Sequence, residues 1–469
     1  MFQAQVYASR RRALVRALAE GGARGAVIFA GNGEAPMNYA DNCYRFRQDS
    51  SFLYFFGVAE PGLWATIDLD DGSSTLYADE LSESALVWTG PRPSPAELAT
   101  ACAAEGHAPV ASVAEELREA LAASRPIHYL PPYRAETALE LSRLLGVDQG
   151  SVRSGASAAL IRAVIALRQI KEPREVAEIE RAVDVSIEMH EAVIGAARPG
   201  MREAELMAIA YGRALAGGGM PSFPPIATVR GDVLHNHGYA GVLRDGASFL
   251  LDCGAETEEG YAGDLTSSFP VGRRFDARQA AACELVLAAG RAASAAMKPG
   301  APFLEAHLAA SKTLAAGLRS LGLLKGDVDD AVAAGAHALF FPHGVGHQMG
   351  LDVHDMESLG EDNVGYGEGY ERSALFGYRS LRMAKPLKAG MVLTVEPGLY
   401  FIEGLIAAWR RAGRHEAFIN YDEAERWIGT GGFRNEEDWL VTEGGARRLG
   451  RAFDKSLSAM EARRAAALG

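Results

Sequence analysis

Residues 340–355 read FFPHGVGHQMGLDVHD, a stretch in which three histidines are spaced by apolar and glycine residues. Two glycines separate His343 from His347, and this indicates a backbone crowded by neighbouring chain rather than an amphipathic helix. Taken alone, a histidine such as His347 is more often an ordinary core or surface histidine than a metal ligand. The stretch predicts a chemical site only together with the acidic segments that surround it in the chain.

Four acidic residues adjoin strand-like runs in the same half of the chain. They lie in SFLLDCGAE (Asp252), GYAGDLTSSFPVG (Asp264), MVLTVEPGLYF (Glu396) and GGFRNEEDWLVTE (Glu436). An aspartate at a strand end is often only a turn or cap residue, and Glu436 is also compatible with a solvated run of charges. A metal-ligand role is favoured more strongly for Glu396, because a carboxylate that ends an apolar strand is costly to bury without a partner.

The four carboxylates and one imidazole form a donor set that is mostly oxygen. Such a set suits Mn²⁺, Co²⁺ or Zn²⁺ in a paired site and excludes a thiolate-rich structural zinc. Two ions about 3.5–4 Å apart need bridging carboxylates, and four carboxylates for two ions supply them. We therefore expect two divalent cations, with Mn²⁺ favoured over Co²⁺ or Zn²⁺, at Asp252, Asp264, His347, Glu396 and Glu436.

Composition and missing motifs exclude several other classes. The formal net charge of −13 argues against a nucleic-acid partner, and no apolar run approaches the ~20 residues of a membrane span. The four cysteines form no CxxC pair, and the N-terminus lacks the apolar core of a signal peptide, so a reducing cytoplasm is expected. The chain contains no HExxH, GxSxG or GxxxxGK[ST] sequence.

The succession of elements predicts two domains. Short strands alternate with helices at first, which predicts an α/β domain over residues 1–160, and long helices then accompany strands in an α+β domain with an antiparallel sheet over 161–469. The boundary is placed near 155–172, and the Gly- and Tyr-rich segment 356–380 is predicted to be a loop. The expected strands are 25–30, 63–68, 74–77, 127–130, 248–253, 261–271, 391–396 and 437–442; the expected helices are 112–122, 162–168, 173–197, 202–216, 276–297 and 303–321.

The five motifs in this order resemble the "pita-bread" metallopeptidases, and within them the branch of Xaa-Pro aminopeptidases and Xaa-Pro dipeptidases (prolidases). The segment RFRQDSSFLYFFGVAEPG, residues 45–62, is similar to the same branch, so the resemblance covers nearly the whole chain. It implies a creatinase/prolidase-like N-terminal domain, a pita-bread catalytic domain and peptide substrates with proline at the second position. It also implies a homodimer in which the N-terminal domain mediates dimerisation and reaches over the neighbouring site.

The resemblance implies how each metal ligand is used. Asp252 would bind one ion, His347 and Glu396 would bind the other, and Asp264 and Glu436 would bridge the two. Glu396 would also assist proton transfer to or from the water that attacks the peptide.

The same resemblance implies a set of residues around the substrate. His354 would stabilise the substrate carbonyl as it becomes tetrahedral, and His235 and His343 would line the substrate site. Arg434 would support the carboxylate of Glu436. The implied catalytic residues are thus Glu396, His354, His343 and His235, and the implied substrate-binding residues are Arg382, His235, His343 and Arg434.

The length of the substrate depends mainly on Arg382. Residues 378–406 are similar to prolidases, in which an arginine at this position meets the carboxylate of a dipeptide, a role that suits a guanidinium; the alternative is a surface charge. Two departures weaken the similarity: Asn435 replaces an aliphatic residue, and the turn between the two aspartates is one residue longer. His237 is either a substrate-side donor or, as we favour, a turn residue. We expect an Xaa-Pro dipeptidase, with an Xaa-Pro aminopeptidase as the alternative and an inactive binding module of the same fold as a third possibility.

Overall fold

The computed structural model describes residues 2–469 and divides into two compact units. The first unit extends to Arg168 and includes Met356–Asn363, and the second comprises Gln169–Asp355 and Val364–Gly469. The sequence-based division between residues 160 and 161 remains a prediction about independently folding domains. No helix within residues 2–469 is both long enough and apolar enough to cross a membrane.

The first unit is built on a five-stranded mixed sheet with the strand order β4-β3-β2-β1-β5. Its strands are β1 (Ala26–Ala30), β2 (Trp64–Asp68), β3 (Ser74–Tyr77), β4 (Gly106–Ala108) and β5 (Ile127–His128). Its helices are α1 (Ala4–Glu20), α2 (Ser50–Phe56), α3 (Glu83–Thr89), α4 (Pro95–Cys102), α5 (Ser112–Ala122), α6 (Ala135–Leu145), α7 (Gln149–Ser154) and α8 (Ala158–Arg168). Strand β2 runs antiparallel to β1 and β3, whereas β4 and β5 run parallel to their neighbours. The α/β prediction for this part is confirmed.

The second unit combines long helices with antiparallel strands. The helices are α9 (Pro173–Ala196), α10 (Glu203–Ala216), α11 (Ala277–Ala296), α12 (Phe303–Ser320), α13 (Val328–Ala333), α15 (Glu403–Arg411), α16 (Tyr421–Arg426) and α17 (Leu457–Leu468), and α14 (Glu361–Gly365) begins in the first unit. The strands are β6 (Ile226–Thr228), β7 (Ser248–Asp252), β8 (Thr266–Pro270), β9 (Val392–Val395), β10 (Gly398–Tyr400), β11 (Gly432–Arg434), β12 (Glu437–Thr442) and β13 (Gly445–Arg448). They form the groups β6-β7-β8, β10-β11 and β13-β12-β9, in which all pairs are antiparallel. The α+β prediction is confirmed.

Local sequence explains the main elements of the second unit. Pro173 occupies the first turn of α9, where its missing N–H costs nothing, and Glu172 and Glu175 form a capping box there. Strands β7, β8 and β9 are buried along their whole length. Burial accounts for the apolar runs of β7 and β9, whereas β8 reads TSSFP and buries hydroxyl groups. Helices α11 and α12 can approach closely because Gly317 has no side chain. A Cβ at this position would lie 2.1 Å from the side chain of Leu285.

The segment 356–380 is not the plain loop that its composition predicts. It contains 3₁₀ helices at Glu357–Leu359 and Tyr378–Ser380 and the short helix α14. The acidic pair Glu361 and Asp362 stands in the first turn of α14, where negative charge favours a helix start, and this outweighs the local glycines.

Candidate metal and substrate site

Strand register brings the four carboxylates to one place. Asp252 ends β7 and pairs with Thr266, the first residue of β8, two positions after Asp264. An isolated bridge pairs Thr266 with Glu436. Strand β12 pairs Glu437 with Val395 of β9, so the next residues outward on these two strands are Glu436 and Glu396.

His347 is held beside β9 by strand-like pairing. The backbone N–H of Thr394 donates to the carbonyl of His347 (2.9 Å), and that of Glu396 donates to Val345 (2.7 Å). A Cβ on Gly346 would lie 2.1 Å from the carbonyl oxygen of Thr394. The glycine is therefore required by close backbone approach, which is what the spacing of the two histidines predicts.

Three of the donors lie close enough to share a cation. Asp264, His347 and Glu436 each offer one ligand atom, and these atoms lie within 4.8 Å of one another in a buried setting. The Nδ1 of His347 lies 3.1 Å from the carbonyl oxygen of Gln348, so it carries the proton. Nε2 lies 3.5 Å from Asp264 Oδ2 and 3.7 Å from Glu396 Oε1. An imidazole nitrogen that converges with carboxylate oxygens in this way fits the donor set of a divalent metal.

The electrostatics of the carboxylates support the same conclusion. Burial raises the pKa of Asp264 and of Glu436 well above the ordinary carboxyl range, and repulsion between the carboxylates adds to it. Burial also raises the pKa of Glu396. In the part of the chain that the structure describes, Asp264 Oδ1 is buried without a hydrogen-bond partner. Arg434 supplies one positive charge to the four carboxylates, and metal ions would supply the remainder.

Arg434 supports the site through three partners. Its guanidinium donates to Asp252 Oδ2 (2.5 Å), Tyr400 Oη (2.8 Å) and Thr266 Oγ1 (3.2 Å). The hydroxyl of Thr266 in turn donates to Glu436 Oε2 (2.7 Å). The expected support of Glu436 by Arg434 thus runs through Thr266, and the direct ion pair is with Asp252. Sequence analysis missed Thr266 and Tyr400, although both lie inside the quoted motifs.

The histidines take distinct positions around the carboxylates. The ring of His354 stacks on that of His347 with centroids 3.8 Å apart and planes inclined by 12°. His343 Nδ1 lies 2.8 Å from the carbonyl oxygen of Gly344, so Nε2 accepts the hydrogen bond from Tyr400 (2.9 Å). Burial lowers the pKa of His343 to about 3, and burial followed by the charge of Arg434 lowers the pKa of His235. His343 is therefore neutral at neutral pH.

One cavity of about 580 Å³ collects these groups. All ten residues proposed from the sequence line it: His235, Asp252, Asp264, His343, His347, His354, Arg382, Glu396, Arg434 and Glu436. His237 also lines it, although a turn role is the favoured expectation, and its ring stacks on His235 (6.2 Å). Asn435 instead lines a separate cavity of about 10 Å³, so this departure from the family pattern does not face the substrate space.

The apolar side of the cavity went unrecognised in the sequence. It is formed by Phe223, Pro224, Ile226, Leu234 and Val353. Single apolar residues in loops and short strands carry no local signal of a pocket, because only the folded chain brings them to one cavity.

A buried acidic site at the ends of antiparallel strands, with histidines beside it and an open cavity in front, defines a metal-dependent hydrolase. The model of Metallopeptidase family M24 matches residues 177–443, and that of the Aminopeptidase P, N-terminal domain matches residues 7–128. The chain belongs to metallopeptidase family M24. The expectations of this family, of its two-part fold and of a hydrolase are confirmed.

The similar proteins include both Xaa-Pro dipeptidases and Xaa-Pro aminopeptidases. The Xaa-Pro dipeptidase of Homo sapiens is 34% identical over 446 residues, covering 91% of this chain and 86% of the relative. The Xaa-Pro aminopeptidase of Escherichia coli (strain K12) is 31% identical over 471 residues, covering 98% and 97%. The solved aminopeptidase PepP of Pseudomonas aeruginosa superposes with a TM-score of 0.81 at 28% identity, covering 100% of this chain and 99% of that one.

Proposed function

We propose that this protein hydrolyses the bond between an N-terminal residue and proline, with Xaa-Pro dipeptides as its preferred substrates and two divalent cations, Mn²⁺ in the first place, as cofactors. The observation that carries the proposal is the convergence of four carboxylates, His347 and Arg382 on one cavity. The names of the similar dipeptidases and aminopeptidases point to the same bond.

Five side chains would hold the two ions: Asp252, Asp264, His347, Glu396 and Glu436. The donor atoms of Asp264, His347 and Glu436, which lie within 4.8 Å of one another, support three of these ligands. Bound divalent ions supply Lewis acidity and make water a nucleophile near neutral pH. Arg434 keeps Asp252 oriented for this role through its 2.5 Å hydrogen bond.

Proton transfer and charge stabilisation fall to residues that face the cavity. Glu396 is the most accessible of the carboxylates, with 20% of its side chain exposed, and burial raises its pKa, which favours uptake of a proton. His354 would donate to the carbonyl oxygen of the scissile bond as charge develops there, and its stacking on the ring of His347 supports this role.

The cavity also offers complementary surfaces for the two ends of an Xaa-Pro dipeptide. Proline lacks an N–H and presents an apolar ring, which suits the wall formed by Phe223, Ile226 and Val353. Arg382 on the cavity wall suits the free carboxylate that directly follows proline in a dipeptide. A longer peptide has an amide there, so Arg382 favours the dipeptide.

A dipeptide and its amide separate the two substrate classes. Arg382→Ala should lower kcat/KM for an Xaa-Pro dipeptide by about 10–100-fold, as expected when a charge-assisted hydrogen bond of about 1.5–3 kcal/mol is lost. It should leave the matching Xaa-Pro amide almost unchanged. Arg379→Ala is the control, because Arg379 is exposed and does not line the cavity.

The second candidate is an Xaa-Pro aminopeptidase acting on longer peptides, favoured by the likeness to solved aminopeptidases P. Faster cleavage of Xaa-Pro-Xaa than of Xaa-Pro, unaffected by Arg382→Ala, would select this alternative. Hydrolysis that survives complete removal of metal by a chelator would reject both candidates.

We further propose a homodimer in a reducing compartment such as the cytoplasm. All four cysteines are free, which supports the compartment. The dimer rests on the family resemblance, and light scattering coupled to gel filtration measures it directly.

A further inference from the structure

Lys455 is a buried lysine whose three N–H groups are all accounted for. It lies between β13 and α17, and only 3% of its side chain is exposed. The ammonium donates to the carbonyl oxygens of Glu436 (2.6 Å) and Thr266 (3.1 Å), and it pairs with Glu437 Oε1 (3.1 Å). A lysine ammonium has three donors, so this geometry uses the group completely.

The two carbonyls belong to residues whose side chains meet inside the proposed metal site. Thr266 donates its hydroxyl to Glu436 Oε2, and the backbone N–H of Glu436 donates to the carbonyl of Thr266 (3.1 Å). Lys455 therefore binds the backbone on both sides of the bridge that joins β8 to the start of β12. It fixes the backbone from which the carboxylate of Glu436 projects.

The segment that carries Lys455 is itself anchored by a second buried cation. Arg464 on α17 is fully buried and donates to the carbonyls of Pro270, Val271, Ile194 and Ala197. None of these four residues lines the cavity. Arg464 thus holds the C-terminal segment in place without touching the carboxylates, which makes it a matched comparison for Lys455.

Resting on the function proposed above, we propose that Lys455 is a positioning residue for metal binding, acting through the backbone of Glu436 and Thr266. If Lys455 acted only as a counter-charge, its removal would have the opposite effect on the affinity for metal. Loss of a positive charge beside an acidic site strengthens its attraction for cations, whereas loss of a positioning residue weakens metal binding. The sign of the change in affinity separates the two roles.

The test is titration of the metal-free full-length protein with Co²⁺, followed by its visible absorption. Lys455→Met should weaken Co²⁺ binding about 10–100-fold and alter the spectrum, because a ligand carboxylate loses its support. Arg464→Met should lower the unfolding temperature while its Co²⁺ affinity and spectrum stay those of the wild type. Unchanged or tighter binding by Lys455→Met overturns the proposal, as does equal weakening in both variants.

Two gentler variants serve if Lys455→Met does not fold. Lys455→Gln removes the ammonium, whereas Glu437→Gln removes only the ion pair and keeps both lysine–carbonyl hydrogen bonds; Arg448 also pairs with Glu437 (3.2 Å). The proposal requires weaker Co²⁺ binding in Lys455→Gln than in Glu437→Gln, and equal or reversed affinities overturn it. A wild-type protein that binds no Co²⁺ and cleaves no Xaa-Pro bond rejects the proposed function itself, which is a separate result.

Discussion

Replacing His307 by phenylalanine should make the protein more resistant to acid. His307 on α12 and His337 are 1% and 0% exposed, and none of their ring nitrogens has a hydrogen-bond partner within residues 2–469. The His307 ring packs against Phe341 (5.5 Å) and Tyr378 (5.2 Å), so a phenyl ring suits the space. Burial lowers the pKa of His307 to about 3 and that of His337 to about 4.

The sign and size of the effect follow from these values. The pKa of His307 in the folded protein lies below the ordinary 6.5, so the unfolded chain binds more protons between these values. Its contribution to the free energy of unfolding is full above about 6.5 and falls as the pH decreases towards about 3. At pH 5, about 1.5 pH units below 6.5, the loss is about 2 kcal/mol for this histidine. At pH 8 this contribution to the difference vanishes.

Urea unfolding of the metal-free protein, followed by tryptophan fluorescence, measures the effect at both pH values. His307→Phe should gain about 2 kcal/mol more over the wild type at pH 5 than at pH 8. The same substitution at the exposed His107 is the control and should show no such difference. A stability difference between variant and wild type that is equal at the two pH values would refute the reasoning.

Two further predictions concern the metal site. Mn²⁺ should raise the unfolding temperature more at pH 8 than at pH 5.5. The pKa values of Asp264 and Glu436 are raised in the folded protein, so the metal-free protein loses stability as the pH rises. Metal binding to these carboxylates reverses that loss. Differential scanning fluorimetry checks this, and an equal or smaller increment at pH 8 contradicts it. Gly346→Ala should lower the unfolding temperature and abolish most metal binding, because the new Cβ would lie 2.1 Å from the carbonyl oxygen of Thr394. The control is Gly404→Ala in α15, where the Cβ meets open space and should stabilise the protein by up to about 1 kcal/mol. Thermal melts by circular dichroism compare the two, and similar melting of both variants counts against the crowding.

The sequence predicts much of the fold because its signals are local. Strand β3 and helix α5 occupy the expected residues, and the long helices of the second unit agree within a residue or two at their ends. Apolar runs indicate buried strands such as β7 and β9, and helix α9 begins after the cap Glu172 with Pro173 in its first turn. The segment 356–380 was mispredicted because acidic residues at a helix start compete there with glycines.

The candidate site divides along the same line. The sequence by itself identified the candidate donors, because Asp252 and Glu396 end apolar strands, where an unpaired carboxylate is costly to bury. Only the tertiary structure decided that Arg434 pairs with Asp252, 182 positions away, and that Lys455 holds Thr266, 189 positions away. It also decided the apolar wall and the place of His237 in the cavity. These contacts depend on strand register and on side chains meeting across the fold, and neither is encoded in the residues adjacent along the chain.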